Sequence, residues 1–394
     1  MSRLLSGLRV WWIAVIFVVM ILLVIFSANY LGVRPTVTGS GVEGITLPPG
    51  FAIDVYADDL GSSLLSFGGP SPGPRMMMIK DGLLFVSIPN KGLVVVLPDR
   101  NGDNVADEVD VFISGLDHPH GIDYYDGWFY IAEQSRVIRV RDDDGDLVAD
   151  EESLEIIIDA LPTGGHYTRT VKIHDGELYL SVGSSCNVCY ESDKIRAAIS
   201  KSELDGSNLS VFAKGLRNSV GLTFHPLTGE LYATENGRDW LGDDLPPDEI
   251  NLIKEGGDYG WPSCYGKNIY DTDFNNSGYI GNPCNDSAKV PSFVNLQAHS
   301  APLGLTFYHA ERFPQEYQGN LFVCLHGSWN RQEPTGYKVV SIDMDTREVT
   351  DFATGWLGAA SISGRPVDVI VADDGSLFVS DDNAGKIYRI YYAG

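Results

Sequence analysis

The chain has 394 residues, 44% of them hydrophobic, which is ample for a large core. It carries 28 Lys and Arg against 53 Asp and Glu, a formal net charge of -25 at pH 7. That balance excludes nucleic acid as a partner, because phosphate contacts need a basic surface.

The first feature in chain order is apolar. Val10 to Phe26 is a run of 17 apolar residues preceded by Arg3 and Arg9. It reads as a transmembrane signal-anchor over 10–30, with 1–9 cytoplasmic and 31–44 a Gly/Thr/Ser/Pro linker. A cleaved signal peptide is the alternative, although Phe26-Ser27-Ala28 is a poor cleavage site. Either reading exports the body, 45–394, to a compartment outside the cytoplasm where disulfides are permitted.

Residues 45–56 alternate as a strand does, and are expected to pair with the last strand, near 385–392. Between them one phrase recurs six times: LLFVSI, WFYIAE, LYLSVG, LYATEN, LFVCLH and LFVSDD. The copies centre on Phe85, Phe129, Tyr179, Tyr232, Phe322 and Phe378, at spacings of 44, 50, 53, 90 and 56. Each is a short apolar strand beside a polar turn, and a period near 50 predicts an all-β, six-bladed β-propeller. The interval of 90 places a long insertion, 235–300, in the fourth unit. Met76, Met77 and Met78 read as packing residues rather than metal ligands.

Two acidic hairpins follow the first two units. Asp99, Asn101, Asp103 and Asp107 form one, and Asp142, Asp144, Asp146 and Asp150 the other. Their spacing can present hard oxygens to a structural calcium ion. Neither loop has the glycine at its sixth position or the glutamate at its twelfth that an EF-hand requires, and a plain acidic turn fits as well. His118, His120 and His174 lack the convergent partners of a zinc site. Cys186 and Cys189 form C-x-x-C, Cys264 and Cys284 are expected to bridge across the insertion, and Cys324 to be buried and free.

In a propeller, the segments flanking the repeated strand meet at one end of the central channel. They bring His120, His166 with Arg169, Arg217 with Asn218, Glu235 to Arg238, Gly327 to Arg331, and Arg365. Arginines gathered at one mouth of an acidic protein suggest an anionic ligand, and an imidazole beside them a proton acceptor.

Several motifs sharpen this reading. His166-Tyr-Thr-Arg169, Leu216-Arg217-Asn218-x-x-Gly221, Glu235-Asn236-Gly237, and Asp248-Glu249-Ile-Asn251-Leu followed by Gly256-Gly257-x-Tyr259-Gly260-Trp261-Pro262 resemble the glucose/sorbosone dehydrogenase family. GSSCNVC, SAPLGLTFY, HGSWNR and GRPVDV are similar to its sorbosone-dehydrogenase-like branch. The resemblance covers roughly 45–392 and implies a six-bladed propeller using the quinone cofactor PQQ and calcium. It makes His166 the general base on a sugar's C1 hydroxyl, with Arg217 stabilising charge on the reduced cofactor. Arg217, Asn218, Arg331 and Arg365 become cofactor ligands, and the backbone carbonyls of Gly237 and Arg238 calcium ligands. The soluble glucose enzymes have Pro where this chain has Arg238, and their His-Gln-Ser-Gly-Arg run is one residue longer than His166-Tyr-Thr-Arg169. Trp329 is either a sugar-stacking ring or core, and Cys186 and Cys189 are expected to pair as a disulfide shaping the rim. Electrons would pass to a membrane quinone or a cytochrome. No C-x-x-C-H occurs, since Tyr190 follows Cys189.

Two other readings fit the same pattern. One is a non-catalytic exported propeller that binds protein or glycan. The other is a calcium-dependent lactonase or hydrolase using Glu235 and Asp248.

Overall fold

A computed structural model describes residues 42–61, 73–275, 281–359 and 361–394. Among the described residues, strands form six four-stranded antiparallel sheets, each from consecutive strands except where the ring closes and where one two-stranded hairpin interrupts the fourth. The repeated phrase is the second strand of every blade: Leu83–Ile88, Trp128–Ala132, Glu177–Val182, Leu231–Glu235, Leu321–Leu325 and Leu377–Asp381. In three blades an Asp-Gly pair turns the first strand into the second: Asp81-Gly82, Asp126-Gly127 and Asp175-Gly176. All six of those residues have φ between 47° and 83°, as the tight hairpin turn that follows strand twist requires.

The aromatics of successive repeats explain the stacking. Phe85 of the first blade lies 4.9 Å from Phe129 of the second and 5.2 Å from Phe112, ring centre to ring centre. One blade therefore supplies the apolar face that its neighbour covers. Met77 and Met78 sit in the first blade's inner strand and are buried, as packing residues.

Closure takes the expected route. Phe51–Ala57 pairs antiparallel with Lys386–Tyr392, Phe51 opposite Tyr392, and so becomes the outer strand of the sixth blade. Phe51 makes edge contacts with Phe313, Tyr317, Phe352 and Tyr392, all with centroids within 5.2 Å. That one ring joins the early strand to the fifth and sixth blades.

The fourth blade differs from a single insertion at 235–300. Its strands Asp248–Ile253 and Val294–Leu296 lie inside that span, so the extra chain divides into excursions at 236–247 and 254–293. The second carries the hairpin Cys264–Tyr265 with Ile269–Tyr270, and a Cys264–Cys284 disulfide fastens it. Cys186 and Cys189 are also bonded, and Cys324 is free and buried. The anchor at 10–30, and most of the linker at 31–44, lie outside the described residues. Among the described residues, no helix is long and apolar enough to cross a membrane.

Candidate active site

Strand register decides which loops meet. Arg169 pairs with Val182, Leu222 with Ala233, and Pro366 with Asp381. The start of each first strand therefore shares an end of the ring with the close of each second strand. That end receives His120, His166, Arg217, Asn218, Gly237, Arg331 and Arg365. The turns between third and fourth strands lie at the other end, and with them both acidic hairpins. There Asp142, Asp144 and Asp146 bring carboxylate oxygens within 4.8 Å of one another, but they also accept from the backbone amides of Gly145, Leu147, Asp146 and Val148. Asp99 likewise accepts from the amides of Gly102 and Asn104. The three sequence-flagged histidines do not converge. His118 turns to Asp117, His120 to Thr170, and His174 stacks on Phe224 at the far end.

His166 and Asn218 flank Gly183, the residue that ends LYLSVG. A Cβ on Gly183 would come 2.4 Å from Asn218 Oδ1 and 2.8 Å from His166 Cβ, so only glycine lets the two approach. His166 Nδ1 lies 3.0 Å from the Ser184 carbonyl, which can only accept. The proton therefore sits on Nδ1, and Nε2 is left as an acceptor. Burial, reinforced by the Arg217 charge, lowers the pKa of His166 to about 3. The ring is neutral at pH 7, as a proton acceptor must be.

Arg217 is buried and held on every side. Nε donates to the Asn187 carbonyl at 2.8 Å, and Nη1 to the carbonyls of Asn236 and Gly237 at 3.1 and 3.0 Å. Nη2 donates to Asn187 Oδ1 at 3.0 Å and faces Asp239 at 3.4 Å. Arg365 donates to the carbonyls of His326 and Gly327. Arg331 reaches Asp244 at 2.9 Å, so an ion pair on the rim already holds the guanidinium expected to grip the cofactor. The Arg238 side chain turns from the mouth to Asp271 in the insertion, 3.2 Å away, while its backbone stays beside Gly237. Arg169 is structural, with its guanidinium on the carbonyls of His166, Thr168 and Pro162. Trp329 is exposed rather than core, edge-on to Trp240 at 5.6 Å.

Three residues of the mouth, Arg75, Asp382 and His326, were not anticipated from the sequence. Arg75 Nη1 lies 2.5 Å from Asp382, whose other oxygen takes His326 Nε2 at 2.9 Å. These residues come from the first, sixth and fifth blades. A signal for Arg75 exists in the repeat. Met78 pairs with Phe85 and Lys172 with Tyr179, and an arginine, Arg75 or Arg169, stands three residues ahead of each.

The donors beside Gly237 suit a hard cation. The Asn236 and Gly237 carbonyls already accept from a guanidinium, and Glu235, Asp248 and Glu249 are buried behind them. Glu235 and Glu249 are direct cross-strand neighbours. Burial first, and then Glu249, raises Glu235 to about 8; burial raises Glu249 to about 7 and Asp248 to about 6. Asn251 Oδ1 is buried without a hydrogen-bond partner. An all-oxygen lining with one orphaned acceptor fits calcium, whose charge would favour the ionised form of these buried carboxyl groups. Glu235 accepts from Asn218 N and Ser219 Oγ, and Asp248 from Gly237 N, Ala301 N and Ser300 Oγ. Both carboxylates brace the site loops, so neither stands free for hydrolysis.

Fold and site together define a six-bladed propeller whose mouth pairs a neutral imidazole with guanidinium groups. The chain belongs to the TrAA12-like family, whose profile matches residues 71–393. An uncharacterised protein of Borreliella burgdorferi is 37% identical over 300 residues, covering 70% of this chain and 76% of its own. The pyrroloquinoline quinone-dependent pyranose dehydrogenase of Coprinopsis cinerea is 26% identical over 379 residues, and the match spans 78% of this chain but only 51% of that enzyme. The holo form of its PQQ domain superposes with a TM-score of 0.73 at 22% identity, covering 90% of this chain and 99% of that one. The calcium structure of a Trichoderma reesei family AA12 protein gives 0.74 at 20% identity, covering 91% and 99%.

Proposed function

We propose that this protein oxidises an aldose or related pyranose with PQQ as cofactor and calcium as its companion ion. The observation that carries the reading is His166 beside Asn218 and Arg217, its Nδ1 tied to Ser184 and its Nε2 left to accept a proton. The family and the enzymes named among the relatives support it.

His166 Nε2 takes the proton of the sugar's C1 hydroxyl. Bound PQQ supplies the hydride acceptor, at its C5 carbonyl. Arg217, Asn218 and Arg365 would hold that anionic group, and the buried Arg217 charge would stabilise the negative charge that develops beside His166. The Gly237 and Arg238 carbonyls would hold calcium, which would supply positive charge beside the anionic cofactor. Arg331 contributes from the rim through its pair with Asp244. The anchor at 10–30 places the propeller outside the cytoplasm, within reach of a membrane quinone or a cytochrome as electron acceptor. Two disulfides support that compartment.

The test is reconstitution. The full chain is loaded with PQQ and calcium and offered a panel of aldoses with a redox dye. Sugar-dependent dye reduction that needs the quinone is expected; no quinone-dependent turnover with any sugar overturns the reading.

A further inference from the structure

The loop closed by Cys186 and Cys189 touches both residues assigned to the chemistry. Ser184 donates through Oγ to the Cys186 carbonyl at 2.6 Å, and the Ser184 carbonyl sets the tautomer of His166. Next along the chain, Asn187 spends its carbonyl and its side-chain amide on Arg217 and on the loop that faces it. Its carbonyl takes Arg217 Nε, and its Oδ1 takes Arg217 Nη2 and, at 2.8 Å, the amide of Asp239. Its Nδ2 donates to the Asp239 carbonyl at 3.1 Å. Asp239 in turn accepts from Asn330 of the fifth blade at 2.8 Å. One asparagine thus keys the rim loops of three blades to one guanidinium.

We propose that Asn187 is the positioning residue for Arg217, and that the Cys186–Cys189 disulfide holds Asn187 in place to do so. Arg217 has a long, flexible side chain, and a charge used in a reaction must be held before the reaction begins. Asn187 supplies two of its acceptors from a loop too short to drift once the disulfide is closed. The effect on catalysis rests on the functional reading above; the effect on Arg217 does not.

The experiment separates the two. In the full chain, without quinone or sugar, phenylglyoxal modification of Arg217 is followed by peptide mass. Asn187→Ala is expected to raise its rate at least about five-fold, as loss of one charge-assisted hydrogen bond would. Asn187→Asp keeps the Oδ acceptor for Arg217 but loses the donor to the Asp239 carbonyl, so its rise is expected to be smaller than that of Asn187→Ala. The Cys186→Ser/Cys189→Ser chain, checked separately by thermal unfolding, shows the same rise and serves if Asn187→Ala does not fold. In the loaded enzyme, Asn187→Ala is expected to cut kcat roughly ten-fold with sugar KM nearly unchanged, and to add nothing in an Arg217→Lys background. Unchanged Arg217 reactivity in both variants, or an additive loss in the Arg217→Lys background, overturns the proposal. Wild-type protein that takes up no quinone overturns the functional reading instead, while Arg217 reactivity still decides this one.

Discussion

Replacing Arg75 with Met tests the ring and its mouth together. Asp382 is fully buried and touches Arg75 at 2.5 Å and His326 at 2.9 Å, and burial lowers His326 to about 4, so at pH 7 the guanidinium is the charged partner and the imidazole a neutral donor. Burial pushes its pKa up, but His326, Arg75 and Arg365 more than offset this and hold it below the usual carboxylate range. A group depressed in the folded state stabilises at pH values above its unfolded pKa, and loses that contribution as pH falls through the folded value. Without the guanidinium the balance inverts, because burial then dominates and the folded variant prefers a proton on Asp382 or His326. Breaking a buried pair from one side costs about 3–5 kcal/mol, so Arg75→Met should lose that much stability at pH 7. The deficit should shrink as pH falls, by roughly 1.4 kcal/mol per pH unit while the folded variant holds the extra proton. Arg75→Met with Asp382→Asn should recover most of it. Denaturant unfolding at pH 7, 6 and 5 reads all three. A loss under about 1 kcal/mol, or one that does not change with pH, would refute the claim that these three residues form one buried cluster.

Four further outcomes follow from the structure. His166→Ala should reduce turnover by about 10²–10⁴-fold while leaving quinone affinity, measured by equilibrium titration, within a few-fold of wild type. Because burial and Arg217 hold His166 at about 3, the pH profile of kcat/KM should show no acidic limb from His166 near the ordinary histidine value; a limb there that persists in Asp248→Asn and Glu249→Gln would mean the ring is solvated. Phe51→Ala should cost about 3 kcal/mol, seen in thermal unfolding, since one ring fastens the closing strand to two blades. Cys284→Ser should cost about 3 kcal/mol or less by freeing a 20-residue loop, and limited proteolysis should then cut within 265–290.

Local chemistry was readable in the chain, and non-local chemistry was not. The Asp-Gly turns and the aromatic of each phrase announced the second strands, because a turn type and a strand period are written in neighbouring residues. The closing strand was visible because 45–56 has no partner nearby. His166, Arg217 and Asn218 could be found because each lies within a few residues of a repeat. Arg75 and Asp382 stand 307 residues apart in sequence, and only ring closure brings them together. Arg331 carried the right chemistry for a cofactor ligand, but its direction depends on Asp244 in an excursion of another blade. Arg238 turns away from the mouth for a similar reason, since Asp271 meets it from an insertion whose path no periodicity predicts.

The most direct measurement is a single turnover on the full chain loaded with calcium and one equivalent of PQQ. Adding an excess of the preferred aldose should convert the bound quinone to its reduced spectrum in wild type, while His166→Ala binds the quinone and leaves it oxidised. A protein that fails to retain the quinone, or a His166→Ala chain that reduces it at the wild-type rate, would contradict the account.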